Sequence, residues 1–163
     1  MTNINNRTFD EERALYGSRG VELENCRFDG PADGESALKE ARDVKVKDCF
    51  FNLRYPFWHD TDLLIDGSEL TPNCRAALWY SERVTIRDSR LHGIKALREC
   101  ADAKLVNCRM VDTDLAFEKS EVEAVLTAPI DSIKNPRAGS IRVPAAGEII
   151  LDDPEAKAEI LIG

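Results

Sequence analysis

Apolar side chains return along this chain at a nearly constant interval. The core of residues 77–91 reads Val84-x-Ile86-x-Asp88-Ser89-x-Leu91, with Leu78 six residues before Val84. The same outline recurs at Val21, Val44, Leu63, Ala103 and, in degraded form, Val122, at spacings of 23, 19, 21, 19 and 19 residues. Aligning these repeats sets Leu23, Val46, Ile65, Ile86, Leu105 and Ala124 in one column and Phe28, Phe51, Leu70, Leu91, Met110 and Pro129 in a second. A third column holds Leu15, Leu38, Phe57, Leu78, Leu97 and Ala116. Within each unit apolar and polar positions alternate with period 2, the mark of a strand with one buried face. Each repeat is therefore predicted to supply three short strands separated by turns, and the stacked repeats to form a three-sided parallel solenoid.

The polar positions support the same register. Asn25, Asp48, Gly67, Asp88 and Asn107 are residues that tolerate a left-handed backbone, and they mark a bend. The next residues, Cys26, Cys49, Ser68, Ser89, Cys108 and Thr127, are small enough to tuck inside it, so these cysteines are read as reduced and structural. Outward positions alternate in charge, as in Glu24, Lys47, Asp66 and Arg87, and in Glu22 and Lys45, which suits ion pairing between neighbouring coils. The period excludes leucine-rich, pentapeptide and hexapeptide repeats. The crossover rule for parallel strands favours a right-handed coil.

The predicted fold class is all-β: a right-handed, single-stranded parallel β-helix of five to six coils with a short N-terminal capping helix. Residues 1–14 are expected to be the cap, because Thr8-Phe9-Asp10-Glu11 has capping-box form and a solenoid end needs covering. Residues 15–128 form the coils. Residues 129–163 hold four of the seven prolines, and their Ile-rich runs have no evident intrachain partners. They are expected to form a β-rich cap or to pair two subunits as a homodimer.

Composition narrows the partners. A net charge of -8 argues against duplex nucleic acid and anionic membrane surfaces. The N-terminus has no apolar signal-peptide core, and no run approaches the ~18 apolar residues of a membrane span, so a cytoplasmic location is expected. Five cysteines without a CxxC pair suit neither a disulfide framework nor a zinc ribbon, and no metal or cofactor is expected.

The segments NLRYPFWH (52–59), CRAALWYS (74–81), LHGIKALREC (91–100), LAFEKSEVEA (115–124) and IDSIKNP (130–136), with DGPADGESALKE (29–40), resemble an uncharacterised bacterial family of right-handed parallel β-helices. That family belongs with the pectin-lyase-like architecture, and its members look longer. The resemblance implies a version with coils missing between about Leu97 and Leu105, and it brings no established activity.

One side of the prism carries possible chemistry. Trp58 and Trp79 stand one coil apart next to the Leu78 column, so strand alternation turns them outward. Exposed aromatics among charged groups suit a saccharide or another small polar ligand. The candidate ligand-binding residues are Arg54, Tyr55, Trp58, His59, Arg75, Trp79, Tyr80, Arg98 and Glu99. A pectin-lyase-like carbohydrate-active enzyme is the alternative. Asp43, Asp60 and Asp62 with His59, and the His92-Gly93-Ile94-Lys95 run, are its only pointers, and the paired aspartates of the glycosidases do not appear within the coils. A protein interaction scaffold using the open end of the helix is the third reading.

Overall fold

In the strand Arg42–Lys47, Val44 and Val46 are buried while Asp43, Lys45 and Lys47 face solvent, so alternation alone gives it one core face. The computed structural model, which describes residues 1–93 and 95–163, repeats this strand nine times. Thr2–Asn5, Arg19–Glu24, Arg42–Lys47, Thr61–Asp66, Glu82–Arg87, Ala101–Val111, Glu121–Leu126, Ala138–Val143 and Glu159–Ile162 pair in parallel, each with the next. The result is an all-β parallel solenoid of about eight turns. Its main-sheet register is the predicted one: Val21, Val44, Leu63, Val84, Ala103 and Val122 are successive partners, as are Leu23, Val46, Ile65, Ile86, Leu105 and Ala124. Arg87 and Asp66 form one of the expected ion pairs at 3.0 Å.

A second side is built from two- and three-residue strands, among them Arg27–Phe28, Phe50–Phe51 and Glu69–Leu70, with the far end of Ala101–Val111. The third side holds Leu78–Trp79 paired with Leu97–Arg98, and further on Ile130–Lys134 paired with Ala146–Ile150.

Three expectations are corrected. No helix opens the chain: Thr8–Phe9 is a strand of the second side, because Phe9 completes a stack with Phe28 at 5.0 Å and Phe51 at a further 4.6 Å. Burying an aromatic ring outweighs one turn of isolated helix. The coil count exceeds five to six, since the C-terminal Ile-rich runs have intrachain partners: Ile141 faces both Ala124 and Ile160, and Ile149 faces Ile133. The repeat only seems to lapse there because Gly139 stands opposite Val122 after 17 residues, where a Cβ would run into the Val122 carbonyl. Two column assignments also slip by one residue. Arg98 lies beside Glu118, which puts buried Phe117 rather than Ala116 opposite Leu97, and Leu126 rather than Thr127 opposes Cys108 across a bulge.

Polar ladders satisfy the bends. Cys49 N–H donates to Ser68 Oγ (3.0 Å), Ser68 N–H to Ser89 Oγ (3.1 Å) and Cys26 N–H to Cys49 Sγ (3.4 Å). Each small side chain also donates to the carbonyl two residues before it, as Ser68 does to Asp66 (2.9 Å). A matching ladder at another bend runs Asp60, Ser81, Cys100, Ser120: Asp60 N–H donates to Ser81 Oγ (3.2 Å) and Cys100 N–H to Ser120 Oγ (3.1 Å). All five cysteines are free and buried, Cys74 and Cys100 included.

Candidate ligand face on the third side

Residues in the left-handed region bracket three successive third-side segments, those of Trp58, Trp79 and Arg98. Tyr55, Ala76 and Lys95 precede it with φ of 56°, 49° and 55°, and His59, Tyr80 and Glu99 follow it with φ of 56°, 60° and 50°. Bulky residues seldom adopt this conformation, and glycine would hold it at less cost. Sharp turns on both flanks splay the side chains of Tyr55 and His59 to either side of Trp58. Backbone hydrogen bonds from Phe57 N to Ala77 O (3.0 Å) and from His59 N to Trp79 O (3.0 Å) lock the two coils in register.

That register stacks the indoles. Trp58 and Trp79 lie 5.2 Å apart between centroids at 7°, both half-buried. Lys39 Nζ sits 6.0 Å from the Trp58 ring and Arg98 Cζ 5.0 Å from that of Trp79, so cations close both ends of the stack. The indole N–H of Trp58 donates to the Ala76 carbonyl, and that of Trp79 to the Lys95 carbonyl at 2.7 Å. With faces and N–H groups engaged, the ring edges are what remain for a ligand.

The stack divides the face in two. On one side Tyr55, Trp58, Arg75, Ala76, Trp79 and Lys95 line a cleft of about 500 Å³, with Tyr55 tilted against Trp58 at 5.0 Å. On the other, His59 and Tyr80 stack on each other at 4.9 Å and line a polar cleft of about 470 Å³. Arg98 pairs with Glu118 at 3.5 Å and Glu99 at 3.7 Å. Buried Glu118 also meets Lys134 at 3.7 Å, so Arg98 shares its carboxylate with a second cation. Arg54 belongs to neither cleft; it pairs with Asp33 (3.3 Å) and Glu35 (3.8 Å).

The structure thus gathers Tyr55, Trp58, Arg75 and Trp79 in one cleft, sets His59 and Tyr80 in the other, and leaves Arg54, Arg98 and Glu99 as supports. Lys95 and Ala76 are cleft residues that the apolar columns do not reveal. The signal for Lys95 is its spacing, three residues before Arg98 as Tyr55 is before Trp58. His92 closes the strand Arg90–His92 opposite Val111, and of the His92–Lys95 run Ile94 lies outside the described residues.

Beneath His59, Asp60 is buried in a ladder slot that other coils fill with Ser or Cys. Its Oδ1 accepts from Ala41 N–H at 2.9 Å, and Oδ2 has no partner among the described residues. Burial pushes its pKa up to about 9 against the pull of that hydrogen bond, so the carboxyl is neutral at pH 7. No group of three or more His, Cys, Asp or Glu side chains able to hold a metal occurs among the described residues.

A search of the curated proteins found no match. Matching it over residues 2–107 and 101–162, and folding as a parallel β-solenoid, the chain belongs to the family described as protein of unknown function, DUF3737.

Proposed function

We propose that this protein is a non-catalytic binding solenoid of the cytoplasm, whose Trp-lined cleft holds a small polar ligand bearing an acidic group. A sugar acid is the saccharide that suits it best. The observation that carries this reading is the pair Arg75 and Lys95 at the lip of the cleft, neither with an ion-pair partner among the described residues. By contrast, Arg54 and Arg98 lie beside carboxylates, and Lys39 is capped on the Trp58 ring. Aromatic edges are electropositive, so the exposed indole rims and the two cations favour the same sign of ligand charge. A neutral sugar would want an open indole face, and both faces of each ring are covered.

Calorimetric titration with a uronic acid and the matching neutral hexose tests the reading. The acid binds, the hexose does not, and Arg75→Gln with Lys95→Gln weakens the acid about tenfold or more. Equal binding of the hexose, or an unchanged double variant, overturns it. Cleavage of an oligouronide in the same cell would favour the pectin-lyase-like alternative.

Self-association through residues 129–163 is the second reading. Its support is the outer edge of Glu159–Ile162, which pairs on one side only among the described residues, together with exposed Ile149, Leu151 and Ile162.

A further inference from the structure

We propose that the polar cleft on the far side of the tryptophan stack is a separate site for a tetrahedral dianion, phosphate or a phosphate monoester, held by Arg19, Arg42, Thr61 and His59. The inference does not depend on the Trp-lined cleft.

Cross-strand charge in the main sheet points to it. Charged residues directly opposite one another there have opposite signs: Glu22 with Lys45, Glu24 with Lys47, Lys47 with Asp66, Asp66 with Arg87, Lys104 with Glu123. Arg19 opposite Arg42 is the one pair of cations so placed among the described residues of that sheet; the like-charged Asp43 and Asp62, brought opposite each other by the next register, have Arg83 on Asp62. Cations so placed, on strands roughly 4.8 Å apart, oppose folding unless an anion bridges them. The other pair of facing cations, Arg90 and Arg109 on the second side, has Glu69 next to Arg90.

The carboxylates that line the cleft, Glu40 and Glu82, direct their hydrogen bonds and ion pairs to other residues than Arg19 and Arg42. Glu40 accepts from the Tyr16 hydroxyl. Glu82 holds Arg83 Nη1 at 2.8 Å; Asp62, outside the cleft lining, holds Arg83 Nε at 2.7 Å while the charge of Arg42 also acts on it. Both guanidinium groups, the Thr61 hydroxyl and the His59 ring are left without a side-chain hydrogen bond among the described residues. Gly17 occupies the position that Glu40, His59 and Tyr80 hold in later coils, and a Cβ there would meet nothing within 4 Å, which keeps the cleft open. Two forked donors on neighbouring strands exceed what one carboxylate accepts, whereas a phosphate presents three strong acceptor oxygens. The stacked His59 and Tyr80 rings form a wall against which an ester group can rest.

The test uses the full chain at constant ionic strength set with chloride, titrated with inorganic phosphate and with phenyl phosphate. Saturable one-to-one binding is expected, falling about tenfold or more in Arg19→Gln with Arg42→Gln. That variant should melt no lower than the native chain in chloride, because a repulsion is gone, so lost binding is not lost folding. Arg90→Gln with Arg109→Gln, which removes the same charge elsewhere, leaves the affinity unchanged. Tighter binding of phenyl phosphate assigns an organic ester, and equal binding assigns the free anion. Absence of saturable binding to either, or affinity that survives the double substitution, overturns the proposal.

Discussion

Asp60 shows how a single side chain sets the pH response of the whole fold. Its folded pKa, about 9, lies above the ordinary 3.8, so the folded chain binds a proton that the unfolded chain releases. The corresponding stability is fully present below about pH 4 and is lost as pH rises to about 9. Asp60→Ser puts the hydroxyl of Ser81 and Ser120 into the same slot. At pH 8 it should stabilise by on the order of 2–5 kcal/mol, with the gain vanishing toward pH 4. Parallel melting curves for the two proteins from pH 4 to 9 would rule this out. The cysteines obey the same ladder logic. Cys49→Ser keeps an acceptor for Cys26 N–H and a donor to the Lys47 carbonyl, whereas Cys49→Ala leaves both unpaired and should cost about 1–3 kcal/mol by chemical denaturation. Burial pushes the thiols of Cys49, Cys100 and Cys108 up to about 11 and that of Cys74 to about 12, so all four should resist alkylation at pH 8 until the chain unfolds.

At the scale of elements, the third-side segments of Trp58, Trp79, Arg98 and Glu118 are short because left-handed residues end them on both flanks, and these residues are not glycine. Lys119, exposed with φ of 53°, is one such bracket with no ion pair among the described residues. Lys119→Gly should stabilise by about 0.5–1 kcal/mol, since the strain it relieves exceeds the entropy it adds. Loss of stability in that variant would mean that its side chain packs more than its exposure implies. The terminal strand Glu159–Ile162 makes the opposite case, an edge paired on one side only among the described residues. If it joins two copies, light scattering gives a dimer at high concentration and Ile162→Lys gives a monomer. A monomeric native chain at high concentration would end that reading.

Over the whole molecule, the solenoid was legible wherever coil length stayed near 20 residues. Val84 and Ile86 faced inward as expected, and Ile86→Asp, which places a charge in a fully buried position, should abolish folding. Legibility failed where length changed: the 17-residue step to Gly139 hid the last coils, and a bulge before Cys108 displaced Thr127. The Trp58–Trp79 stack followed from the 21-residue spacing. The covering of its faces did not, because that depends on how far the Lys39 and Arg98 side chains reach. Nor did the division into two clefts, which comes from left-handed backbone at Tyr55 and His59 rather than from any apolar column.

The two tryptophans of the chain are both in that stack, so intrinsic indole fluorescence reports on the third-side face, and the uronic acid and cleft variants assign the change to the Trp-lined cleft. Titrating the native protein with a uronic acid while following this emission is the most direct test of a binding solenoid. A saturable change that is absent with the neutral hexose and lost in Arg75→Gln with Lys95→Gln is the result expected. Emission that stays flat to saturating acid, or that responds equally to the neutral sugar, would contradict it.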